Sequence, residues 1–193
     1  LKCWETAIKQ TDIVIFCGEN VHGIMQSTDD KSKRNPWSQL ENKKFKDGMA
    51  IVSSFNSPEE AGYKLSAVGL NSIPVWCRPR NVLSVGEGFR ADIALNLESG
   101  TIFDEYTSTI DRNVAKSTCN GLQKYIRKNG LKGMVFCSCH KDYIPFLKPD
   151  VVVDLDDEKC YDCRGVDLGE PFPSKCPDVN TRTFGGLLGN ITI

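Results

Sequence analysis

The chain has 193 residues, of which 40% are hydrophobic and 25% charged, a composition that suits one domain with its own core and excludes a disordered chain. Its 24 Lys and Arg nearly balance 25 Asp and Glu, so no global field is available to hold a nucleic acid backbone or an anionic membrane. No apolar run approaches the roughly 20 residues of a membrane-spanning helix, and 16 Gly with 9 Pro are too few for a collagen-like or low-complexity protein.

In chain order, Ile13–Cys17 (IVIFC), bounded by Asp12 and Gly18, reads as a buried strand followed by a turn. Residues 26–46 are polar and charged and read as a surface segment with at most a short helix. Residues 49–53 are a second strand candidate. Ser57-Pro58-Glu59-Glu60 has the marks of a helix start, a capping hydroxyl, Pro at the first position and carboxylates at the positive end of the dipole, with the helix running to about Val68. After a Pro-rich connector (73–80), residues 86–97 carry Phe89, Ile93, Ala94 and Leu97 at helical spacing. Residues 101–103 form a short strand ending in two carboxylates, and 110–128 a long amphipathic helix ended by Asn129-Gly130. Residues 133–138 are a strand, 142–147 a short helix and 151–153 another strand. Such alternation predicts a three-layer α/β fold with a largely parallel sheet. Beyond Lys159 the periodicity is lost, so residues 1–159 form the predicted domain and 160–193 an extension or the start of a truncated region.

Nine cysteines, odd in number and partly set in apolar runs, predict free thiols in an intracellular reducing compartment, the cytoplasm or an organelle interior, rather than a disulfide framework. The chain opens on Leu1 without a signal-like apolar region, and reads as processed, truncated or part of something longer.

The chemistry-bearing residues lie between Leu83 and His140. Leu83-Ser84-Val85-Gly86-Glu87 opens a helix, Ile102-Phe103-Asp104-Glu105 closes a strand, Ser108-Thr109-Ile110-Asp111 precedes the long helix, and a later strand ends in Cys139-His140. A hydroxyl and a glycine amide at a helix start, Ser84 and Gly86, can hold a phosphate oxyanion where unpaired N–H groups and the helix dipole meet. A plain N-cap accounts for the same residues. At the carboxyl end of a buried strand, Asp104 can reach Mg²⁺ through water while Glu105 polarises an attacking water; a solvated strand end is the other reading. His140 can meet a γ-phosphate or simply cap its strand.

Taken in this order, the four segments resemble the nucleotide-binding domain of ABC-type ATPases: an LSGGQ-like signature (Ser84, Gly86, Glu87), a Walker B strand with its catalytic Glu (Asp104, Glu105), a D-loop (Ser108, Asp111) and a switch histidine (His140). The resemblance covers about residues 13–154 and is strongest to soluble ABC ATPase-like domains that are joined, in some bacterial and phage proteins, to a GNAT acetyltransferase domain. The stretches AVGLNSIPVWCRPRNVLSVGEGFRADIAL, FDEYTSTIDRNVAK and SCHKDYIPFLKPD carry it. It implies a P-loop NTPase fold, ATP and Mg²⁺ as ligands with Gly18, Gly23 and Asp104 as binding positions, and a dimer in which the signature of one subunit closes over the phosphate loop of another.

One element departs from that pattern. The phosphate loop, G-x-x-x-x-G-K-[S/T], can only be Gly18-Glu19-Asn20-Val21-His22-Gly23-Ile24-Met25. Ile24 stands in place of the phosphate-binding Lys and Met25 in place of the Mg²⁺-binding hydroxyl. An alkyl chain cannot neutralise phosphate and a thioether suits a hard ion poorly, so both oppose MgATP binding, and Glu19 adds a negative charge. The segment is read as a degenerate loop, with a coincidental turn and a true loop lost upstream as the alternative. The glutamine-loop position holds Ser53-Ser54.

Two functions follow from the resemblance. In one the chain is a pseudo-ATPase, with MgATP weakly bound or absent, serving as a structural or regulatory subunit beside a protein partner or a second copy of itself. In the other it is an active ATPase domain coupled to an acetyltransferase or other partner, with Glu105 as base, His140 at the γ-phosphate and a lysine from elsewhere, Lys31 or Lys33. Three minor features complete the reading. Cys160 and Cys163 have C-x2-C spacing and with Cys176 make a weak zinc candidate, though free thiols account for them. Lys43, Lys44 and Lys46 around Phe45 read as a solvated face, not a nucleic-acid site. Trp4, Trp37 and Trp76 have no spacing that makes a stacking platform.

Overall fold

Five buried residues in a row make β1 (Ile13–Cys17) a strand covered on both faces, and it lies at the centre of the sheet. The computed structural model describes residues 10–19, 21 and 43–168. Parallel neighbours of β1 are β3 (Met134–Ser138) on one side and β4 (Val151–Asp154) on the other. The edge strand β2 (Ile102–Phe103) runs parallel to β3, and β5 (Lys159–Asp162) returns antiparallel to β4, giving the order β2-β3-β1-β4-β5. Alternate side chains divide between two cores. Ile13, Ile15, Met134, Phe136 and Val152 point to one face; Val14, Phe16, Val135, Cys137, Val151 and Val153 point to the other, where Val21 packs. This two-sided burial is why the strands read as unbroken apolar runs.

The helices α1 (Pro58–Ala67), α3 (Val85–Leu95), α4 (Arg112–Lys128) and α5 (Ile144–Leu147) send Ala61, Leu65, Ala91, Ala94, Leu122, Ile126, Ile144 and Leu147 into the first of these cores. A single turn, α2 (Ile73–Trp76), links α1 to the α3 region. The helix expected from Ser57 forms as predicted, with the Ser57 hydroxyl accepting from the Glu60 N–H at 3.1 Å. Asn129 closes α4 and Gly130 leaves it at φ +62°. Helix α3, capped by Ser84, shares the main core with α1 and α4 and is not a separate lobe.

Two expectations are corrected. Residues 49–53 form no strand: Ile51–Ser54 is a 3-10 turn, and only Ala50 bridges to Pro79. Pro79 has no N–H to extend a ladder, and Ser53 bonds back to Ala50 within its own turn. The chain beyond Lys159 keeps regular structure, since β5 begins there, so the sheet runs past the point where the sequence pattern fades. Among the described residues no helix is long and apolar enough to cross a membrane.

Candidate functional site

Because β1 to β4 are parallel, their carboxyl ends share one edge of the sheet, and the chain leaves them at Gly18, Asp104, Cys139 and Leu155. Open α/β sheets bind ligands at this edge. Register pairs Phe103 with Phe136, which sets the Asp104 turn beside the end of β3. The two are bonded together: Tyr106 N–H donates to the Cys137 carbonyl at 2.9 Å, the Thr107 and Ser138 hydroxyls lie 3.2 Å apart, and His140 N–H donates to Ser138 Oγ at 3.2 Å. Asp104 and Glu105 are exposed and His140 half-buried. Glu105 has φ +50° and Thr107 φ +78°, left-handed backbone that side-chain-bearing residues seldom adopt and that clusters at functional turns. Tyr106 anchors the turn, buried among Phe89, Phe136 and Tyr143.

The structure also brings Gly86 against the segment of Thr109 and Ile110. A Cβ on Gly86 would lie 3.4 Å from Ile110 Cγ2 and 3.8 Å from the Thr109 carbonyl. Both segments cap their helices. Ser84 and Glu87 form a capping box, Ser84 Oγ accepting from Glu87 N–H at 3.3 Å and the Glu87 carboxylate from Ser84 N–H at 3.0 Å. The Ser84 hydroxyl and amide beside it hold the Glu87 carboxyl below its usual range. Asp111 accepts from Asn113 N–H at 2.9 Å and Val114 N–H at 3.3 Å. Ser108 is exposed, its N–H bonded to the Glu105 carbonyl at 3.0 Å. Arg112 pairs with Asp142, tying the start of α4 to the loop after His140.

At the turn after β1, Gly18 has φ +138° and is buried. The tip of the β4–β5 hairpin packs onto it. Glu19 N–H donates to Asp156 Oδ1 at 2.8 Å, and Leu155 N–H to the Cys17 carbonyl at 2.8 Å. Lys141 lies beneath, its Nζ 2.8 Å from both oxygens of buried Asp154 and 3.1 Å from Asp156 Oδ2. Burial works against the Lys141 charge, but these carboxylates outweigh it and raise its pKa. The Glu19 amide, with Lys141, lowers that of Asp156. Lys141, Asp154 and Asp156 were not singled out by sequence reasoning. Their trace was a lysine directly after His140 and the acidic run Asp154-Leu-Asp-Asp-Glu158 after a buried strand. Gly23, Ile24, Met25, Lys31, Lys33 and Cys176 lie outside the described residues.

The C-x2-C pair does not gather thiolates. Cys160 is buried in the core on one face of the sheet and Cys163 in the core on the other, because strand alternation turns residues three apart in opposite directions. Among the described residues no group of three metal-ligating side chains forms. Lys43, Lys44 and Lys46 are exposed while Phe45 packs inward against Phe55; they border an open cleft of about 580 Å³ that reaches Phe103 and Asp104.

This is the three-layer P-loop fold of the ABC cassettes. The chain is similar in structure to dimeric MJ0796, a bacterial ABC transporter cassette, with TM-score 0.52 and 15% identity over 81% of this chain and 87% of that one. It is similar also to MJ0796 in a dimeric post-hydrolysis state bound to ADP and Pi, with TM-score 0.54, 15% identity and the same coverage. No protein-family model matches the chain, and no curated protein matches it.

Proposed function

We propose that the chain is a degenerate ABC-type ATPase-like subunit, which binds MgATP poorly, hydrolyses it negligibly, and acts as a structural or regulatory member of an assembly. The observation that carries this reading is the pair Ile24 and Met25 at the lysine and hydroxyl positions of a loop that follows β1 in the expected order. Without the lysine the β- and γ-phosphates lose their neutralising charge, and without the hydroxyl Mg²⁺ loses an oxygen ligand. The retained Ser84, Gly86, Ser108 and Asp111 fit association through the face that carries them, with an intact subunit as partner more readily than a second copy. The active-enzyme reading draws support from the strained Glu105 turn bonded to the His140 strand end, but needs a phosphate-binding lysine. Isothermal titration of the chain with a non-hydrolysable ATP analogue and Mg²⁺ tests the proposal: no heat of binding in the micromolar range is expected, and micromolar affinity rejects the degenerate reading.

A further inference from the structure

We propose that the Ser138 hydroxyl is the latch of a two-state switch at the carboxyl edge of the sheet. Bonded to Thr107, it holds the turn 104–107 and the His140 backbone together; turned toward Tyr143, it lets both go. The inference concerns how the two halves of the candidate site move together, and it stands whether or not the degenerate reading holds.

Four observations carry it. Glu105 and Thr107 have φ +50° and +78°, and left-handed backbone is costly for a β-branched residue such as Thr107, so neighbouring contacts must hold it there. Thr107 is 2% exposed, and its hydroxyl lies 3.2 Å from that of Ser138, also 2% exposed. The same Ser138 oxygen accepts from His140 N–H at 3.2 Å, so one buried side chain fastens the turn and the strand end at once. Ser138 follows Phe136 by two residues and so faces the core that holds Phe136, Tyr106 and Tyr143. There the hydroxyl of Tyr143, a residue 1% exposed, has no hydrogen-bond partner among the described residues. Burial raises the Tyr143 phenol well above its usual range, and the Ser138 hydroxyl is a neighbouring group that works against the shift.

A serine hydroxyl has one proton and two lone pairs. In the observed arrangement the Ser138 oxygen accepts from His140 and shares a proton with Thr107, which leaves the Tyr143 hydroxyl a buried donor with nothing to meet. An unmatched buried donor is costly, and so is the Thr107 backbone. Against these two costs stand the Thr107–Ser138 bond and the Tyr106 N–H bond to the Cys137 carbonyl at 2.9 Å. Rotation of Ser138 about χ1 reverses the exchange: Tyr143 gains a partner, Thr107 loses the one that holds its backbone, and His140 N–H loses its acceptor. The Tyr106 ring is the pivot, fixed 5.0 Å from Phe136 and 5.5 Å from Tyr143, with its hydroxyl 3.3 Å from Cys119 Sγ. A ligand that touches only the turn or only His140 therefore shifts both.

The test follows amide hydrogen exchange by NMR in the full chain for wild type, Ser138→Ala and Tyr143→Phe. The readouts are the amides of Tyr106 and Ser108, whose acceptors, the Cys137 and Glu105 carbonyls, neither variant touches. Relative to the interior amides of β1, Ser138→Ala should speed their exchange about tenfold, the equivalent of one hydrogen bond, and Tyr143→Phe should slow it about threefold by deleting the alternative partner. Faster exchange at His140 alone in Ser138→Ala marks an ordinary strand-end bond and overturns the switch. Acceleration in Ser138→Ala with no slowing in Tyr143→Phe leaves a fastening with a single state and overturns it too, as does a change shared equally by β1. Should Ser138→Ala not fold, Tyr143→Phe decides alone. MgATP affinity, on which the degenerate reading turns, is measured separately and does not enter.

Discussion

Polar side chains at the starts of α3 and α4 satisfy their own helices before anything else. The Ser84–Glu87 box and the Asp111 cap pair backbone N–H groups that would otherwise be unmatched, so these residues have a local reason to be present whether or not a ligand visits. Thiols show the same dependence on surroundings. Burial pushes Cys17, Cys119 and Cys137 each up to about 12, whereas Cys77 and Cys139 are exposed. Only the thiolate reacts, and at pH 8 a thiol titrating near 12 is ionised to about one part in ten thousand. Alkylation of the native chain at pH 8, mapped by peptide mass, should therefore label Cys77 and Cys139 quickly and leave Cys17, Cys119 and Cys137 unmodified until denaturant is added. Fast native labelling of Cys17 or Cys137 would contradict the burial of β1 and β3.

Between elements, α4 lies close against the end of α1. A Cβ on Gly121 would stand 2.1 Å from the Ala67 carbonyl oxygen, and Thr118 Oγ1 donates to the Val68 carbonyl at 3.4 Å in the same contact. Ala favours a helix interior over Gly by about 1 kcal/mol, yet here it meets backbone that cannot swing aside. Gly121→Ala is expected to cost about 1–3 kcal/mol net, lowering the melting temperature by about 2–4 °C per kcal/mol; a stabilised variant in a thermal melt would show that the helices are farther apart. The strands and long helices were legible because each carries its own period, unbroken burial for β1 and β3, an apolar stripe and end signals for α4. Residues 49–53 misled because a short apolar run fits a buried turn as well as a strand, and the deciding fact, Pro79 opposite Ala50, lies far along the chain.

For the molecule as a whole, assembly is the property to measure. Gly86→Arg is a poor probe, since even a Cβ there touches Ile110 at 3.4 Å and folding would respond with association. Val85 is 71% exposed at the first position of α3, and a carboxylate there suits the helix dipole. Val85→Glu should leave the melting transition unchanged while weakening association seen by native mass measurement or size exclusion, because it desolvates a charge in the contact. Ser84→Ala should cost about 1 kcal/mol as a lost cap; if Val85→Glu assembles like wild type, the face only caps its helices.

The sequence by itself determined the parts with local causes: the parallel strands from two-sided apolar runs, the caps at Ser57 and Ser84, and the order of the segments along the chain. Tertiary structure alone decided which of these meet. Gly86 against Ile110, the Asp104 turn bonded to the end of β3, Cys160 and Cys163 parted by the sheet, and Asp156 on the amide of Glu19 all join residues through the register of strands distant in sequence. No local period encodes such pairings, since they arise only when the sheet closes and brings four strand ends to one edge.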